Sequence, residues 1–90
     1  MSVAATIKQQ IGFWSLAEVG ARGFMQDDVS LYFDAKPLAR IVRVRVWLTP
    51  ADTYTVQVFH KRTHAVLFEL EDVYWDSLPE IIRNLSKSLA

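Results

Sequence analysis

Hydrophobic and polar positions alternate strictly through residues 40–48, RIVRVRVWL, where arginines and a tryptophan interleave with valines and a leucine. A period of two is the signature of a strand with one buried and one wet face. The same period recurs in VSLYF (29–33), TYTVQVFH (53–60) and HAVLFELE (64–71), and short turn-forming stretches separate them: DAKPLA, TPAD and KRT. Four strands at hairpin spacing predict an antiparallel meander. The stretch GFMQDD (23–28) shows no alternation and reads as a loop leading into the first strand.

The period changes at both ends of the chain. Residues 4–19 place Ile7, Ile11, Trp14 and Val19 near helical spacing, with Gly12 weakening the middle. Two short helices are expected, or one kinked near GFWS with Ser15 capping a second turn that begins LAEV. At the other end, SLPEIIRNLSKSLA carries Ser77 and Glu80 at capping-box spacing and Pro79 in the first turn. Its apolar stripe, formed by Leu78, Ile81, Ile82, Leu85 and Leu89, should pack on the sheet. The predicted fold class is therefore α+β: an N-terminal helix or helix pair, a four-stranded antiparallel meander, and a C-terminal helix against one sheet face.

Turn lengths convert the pattern into a register. A hairpin closed by KRT sets Val58 against Val66, Val56 against Phe68 and Tyr54 against Leu70, and folding back through PAD sets Val46 against Val56 and Val44 against Val58. One face is then a valine core. The other face carries three rows: Tyr32, Arg43, Phe59 and Ala65; then Arg45, Gln57 and Leu67; then Trp47, Thr55 and Glu69.

Composition narrows the possibilities. Ninety residues make a single domain, 1–90, and 51% of them are hydrophobic. A chain of this size buries only about 60 to 65% of its unfolded surface, but the apolar content is enough for a core without a metal or disulfide. Cysteine is absent, which removes disulfides, thiolate metal sites and cysteine nucleophiles. No apolar run approaches the roughly 20 residues of a membrane span, and the N-terminal MSVAATIKQQ lacks a signal pattern, so a cytoplasmic setting is expected.

Ten bases and ten acids cancel. A zero total argues against binding that rests on many phosphate contacts. Residues 36–62 nevertheless hold six bases against Asp52, while 63–80 hold five acids and no base. Opposite blocks adjacent in sequence suggest neighbouring strands that neutralise each other.

The candidate interface is the face with Tyr32, Arg43, Arg45, Trp47, Phe59 and Leu67. Arg, Trp and Tyr dominate interface hot spots, so the face is expected to bind a host protein or a second copy of the chain as a homodimer, and Arg43 is expected between two aromatic rings. The structural alternative has Arg45 lean to Glu69 while the aromatics cover the sheet or meet the N-terminal helix. A single-stranded nucleic acid platform also combines aromatics with bases, but the neutral total ranks it second. His60 and His64 flank the last turn as a third option, an enzymatic or metal-binding pair. No nearby carboxylate completes that site, and a solvated hairpin tip is the simpler reading. No cofactor, metal or membrane partner is expected. GARG matches the GxxG of a nucleic-acid clamp but precedes a strand rather than joining two helices.

Four segments together, LAEVGARGF, VSLYF, DTYTVQVF and LEDVYWDSLPEII, resemble a family of short proteins encoded in bacteriophages, prophages and other bacterial mobile elements. The likeness runs from about Ile7 to Leu85, and the segment HKRTH is shorter than the basic, glycine-containing hairpin of such relatives. The family has no assigned activity. The resemblance implies a setting, in which small accessory proteins often act by binding a host protein.

Overall fold

The computed structural model describes residues 2–37 and 40–89. Helices α1 (Val3–Ile11) and α2 (Phe13–Glu18) precede five strands: β1 (Arg22–Gln26), β2 (Ser30–Ala35), β3 (Val42–Leu48), β4 (Tyr54–His60) and β5 (Val66–Val73). A 3₁₀ turn at Trp75–Ser77 leads into α3 (Leu78–Arg83) and α4 (Leu85–Ser88). The strands form one antiparallel meander in chain order. The class is α+β, with helices at both ends of an antiparallel sheet.

The sheet has five strands where four were expected. Segment RGFMQ pairs with β2 through Arg22↔Asp34, Met25↔Tyr32 and Gln26↔Leu31, with a bulge between Arg22 and Met25. The extra residue breaks the period of two, so the alternation that marks a strand is missing. Gly23 supplies the left-handed φ of 66° inside this bulge and lies close against the Asp34 carboxylate. Strand β2 also runs on through Asp34 and Ala35, residues expected in the following turn, while part of that predicted turn lies outside the described residues.

The helices break where their backbones allow it. Ser2 caps α1 by accepting the Ala5 N–H on Oγ at 3.1 Å, and Gly12 ends the helix at φ 89°. Gly12 is also the N-cap of α2, so Ser15 is buried inside that helix instead of capping it. Trp14, expected in the core stripe, is 81% exposed. The C-terminal helix divides at Asn84, and Ser77 makes no side-chain capping bond.

All the helices share one side of the sheet. Helix α1 lies on β2 and β3 and packs against α3. Phe33, Val42, Val44, Val46, Val56 and Val58 are buried to 1% exposure or less, together with Ile7, Ile11, Leu78, Ile82 and Leu85 from the helices. Each such side chain contributes about 1.5 to 3 kcal/mol of transfer free energy, which makes this face the source of stability. Among the described residues no helix is long and apolar enough to cross a membrane.

Candidate functional site

Because every helix lies behind the sheet, the opposite face is open. It presents Ser30, Tyr32 and Asp34 from β2, Arg43, Arg45 and Trp47 from β3, and Thr55, Gln57 and Phe59 from β4. The β3–β4 register is the expected one, with Arg43↔Phe59, Arg45↔Gln57 and Trp47↔Thr55. The flanking pairings differ by two residues from expectation. Tyr32 lies opposite Arg45 and not Arg43, and Val58, Val56 and Gln57 pair with Phe68, Leu70 and Glu69.

The last hairpin explains the second shift. His64 adopts a left-handed φ of 63°, and His60 Nδ1 accepts the backbone N–H groups of Arg62 and Thr63 at 3.2 Å each. This loop occupies residues 61–65, so β5 begins at Val66. Phe59 pairs with Val66 while Val58 pairs with Phe68, leaving Leu67 as the extra residue of a bulge. Leu67 therefore leaves the Arg45–Gln57 row, where Glu69 replaces it and accepts from Gln57 Nε2 at 2.8 Å.

The two arginines exchange the roles expected of them. Arg45, not Arg43, is flanked by aromatic rings: its guanidinium carbon lies 4.3 Å from the Trp47 ring centre and 5.3 Å from that of Tyr32. Its Nε and Nη2 both donate to Ser30 Oγ, at 3.3 and 3.2 Å, so it does not lean to Glu69. Arg43 Nε donates to Asp34 Oδ1 at 3.0 Å, and Lys61 Nζ bonds Asp34 Oδ2 at 2.7 Å. Nor do the aromatics meet the N-terminal helix, which packs behind the sheet.

Asp34 organises this end of the face, and sequence reading placed it in a turn. Burial pushes its carboxyl pKa up, but hydrogen bonds from Lys61 and Arg43, with their charges, outweigh that and leave it below the ordinary carboxylate range. Asp27 does related work in the β1–β2 turn. Its Oδ1 accepts the Val29 N–H and its Oδ2 the Tyr32 hydroxyl, both at 3.0 Å. The Val29 bond is the main reason that its carboxyl also sits low, with the Tyr32 and Ser30 hydrogen bonds adding to it against the opposing effect of desolvation. These bonds fix the Tyr32 ring beside Arg45 before any partner arrives.

Between the polar rows lies an open depression of about 540 Å³, with Met25, Tyr32, Phe59 and Val66 around Arg43 and Gln57. Met25 and Val66 are 45% and 56% exposed. Neither was in the predicted interface, because one sat in the supposed loop and the other on the supposed core face. His64 lines the same depression, with its ring edge-on to Phe59 at 6.0 Å. The two histidines therefore cap a turn and border an aromatic ring. Among the described residues no three His, Asp or Glu side chains are grouped to hold a metal ion.

The charge blocks do not neutralise each other. Both ion pairs among the described residues converge on Asp34, and neither joins the basic block to the acidic one. In the meander, one end of the sheet collects Arg22, Lys36, Arg40, Arg43, Lys61 and Arg62 against Asp34, with Glu18 of α2 next to Val19, which accepts the Lys36 N–H. The other end collects Asp27, Asp28, Asp52, Glu71, Asp72 and Asp76 from the strand ends and turns, with Lys8 of α1 near Gln26. Net neutrality conceals a molecule with a basic and an acidic pole. In comparisons with known proteins, the chain matches no family model, no curated protein and no solved structure.

Proposed function

We propose that this protein is a non-enzymatic binding protein whose open sheet face receives a protein partner, acting as a cytoplasmic accessory factor of a phage or mobile element as its sequence resemblance implies. The observation that carries the reading is the face itself: all helices lie behind the sheet, while Arg45 is held between Tyr32 and Trp47 beside an uncovered apolar depression. Preorganised aromatic and arginine side chains lose little rotamer freedom on docking, which is how a small surface gains affinity. The polar groups favour binding over catalysis. Asp34 is committed to two cations with a lowered pKa, and His60 is committed to the hairpin backbone.

A second reading, a nucleic-acid-binding accessory protein, draws on the basic pole next to this face. The enzymatic use of His60 and His64 ranks third. The experiment is affinity capture from the native bacterial lysate, with and without nuclease, using the parent and a Met25→Lys, Val66→Lys variant. These two side chains are exposed and outside the polar network, so the variant should keep the parental melting temperature. The reading expects one nuclease-resistant protein that the variant fails to retain. Recovery that disappears with nuclease supports the second reading.

A further inference from the structure

We propose that the partner seated on the open face is a second copy of this chain, related to the first by a twofold axis that lies between the two sheets and runs across the strands. This rests on the protein-binding reading above and names the partner.

Charge decides the geometry. A face-to-face pair joins the same surface of each copy, so its axis must lie in the plane between the sheets. An axis along the strands would stack basic pole on basic pole and acidic on acidic. An axis across the strands places the end with Arg40, Lys61 and Arg62 over the end with Asp28, Glu71 and Asp76, twice, in one closed contact.

Extension of the sheet through its β5 edge is disfavoured by its acidic residues. The exposed edge strand β5 carries Glu69, Glu71 and Asp72, and antiparallel β5–β5 pairing would set acid against acid. The face offers instead Tyr32 near its middle, Phe59 and Val66 beside the basic end, Trp47 beside the acidic end and Met25 on the β1 edge, with opposite charges at its two ends. Five strands spaced about 4.8 Å apart, each about seven residues long, give a footprint of roughly 24 by 24 Å. Two such faces bury about 1,100 Å² together, close to the lower limit of about 1,200 Å² for specific interfaces. Polar attraction therefore has to supply part of the affinity, and association should depend on salt.

The test is sedimentation equilibrium over a concentration series. The parent should dimerise, and its Kd should rise by about tenfold or more between about 0.01 M and about 1 M salt, where the screening length falls from about 30 to about 3 Å. Two triple variants use side chains outside the hydrogen-bond network: Lys36→Glu, Arg40→Glu, Arg62→Glu in one, and Asp28→Lys, Glu71→Lys, Asp76→Lys in the other. Each alone loses the attraction at both poles and should be monomeric, with its fold verified by circular dichroism. An equimolar mixture restores opposite charges at both contacts, one native and one with the signs exchanged, and should form heterodimer.

A parent that stays monomeric at low salt, or triple variants that each dimerise as well as the parent, overturns the proposal. A monomeric parent whose captured protein is lost in the Met25→Lys, Val66→Lys variant leaves the binding reading standing with a different partner. A monomeric parent with no captured protein removes both.

Discussion

The two faces of one sheet are stabilised by different physics. Behind it, valines from β3 and β4 join Ile7, Ile11, Leu78 and Ile82 in one buried apolar cluster, and the contribution is area removed from water. In front, Ser30 and Thr55 are almost as inaccessible, at 0% and 5%, yet no helix covers them. Their neighbours cover them: Arg45 bonds Ser30, and Trp47 pairs across from both Ser30 and Thr55. A strand position can therefore be buried without belonging to the core, provided long side chains in the next row lie over it. The back face tolerates no charge, and the front face depends on charges that are paired.

The sharpest way to break this contrast is Val56→Asp. The substitution sets an unpaired carboxylate at a position with 0% exposure and should cost several kcal/mol, enough to unfold a domain of this size. Circular dichroism at 25 °C should show loss of structure, whereas a cooperative melt near that of the parent would show that the back face is not the core.

Asp34→Asn should come next, at about 1 to 3 kcal/mol, because it leaves the partly buried Arg43 and the exposed Lys61 without their anion. The same residue sets an acid limb. Its folded-state pKa lies below its unfolded value, so the unfolded state binds the proton more readily. That stabilisation is complete above an unfolded pKa of about 3.9 and is lost as pH falls through the lower folded value. Denaturant midpoints should fall below about pH 4 in the parent and fall less in Asp34→Asn.

Arg45→Met keeps an apolar stem over Ser30 but removes two hydrogen bonds and the cation–π contacts to Trp47 and Tyr32. A loss of about 0.5 to 1.5 kcal/mol is expected, read from urea unfolding. Near-parental stability would reduce the aromatic clasp to a coincidence of packing. The smallest effect belongs to Gln57→Ala, which removes one exposed hydrogen bond to Glu69 and should stay within about 0.5 kcal/mol. A large loss there would mean that the front face is cooperative as a whole.

Local pattern made much of this legible. Strict alternation in RIVRVRVWL and TYTVQVFH determined two strands, the sides their residues take and their mutual register, because a tight connection leaves little freedom in pairing. The apolar stripe at 78, 82 and 85 determined the C-terminal helical face, since helical spacing brings those positions together whether or not the helix is continuous.

The rest depended on partners distant in sequence. Strand β1 exists through pairing with β2, and its bulge erased the alternation that marks a strand alone. Which arginine sits between aromatic rings was decided by a two-residue register difference. Such a slip preserves every side chain's face while changing every neighbour, so hydrophobic patterning cannot detect it. The two poles arose in the same way. Charge order along the chain is a property of sequence, but an antiparallel meander gathers alternate turns at opposite ends of the sheet, and only that folding turns a neutral chain into a polar molecule.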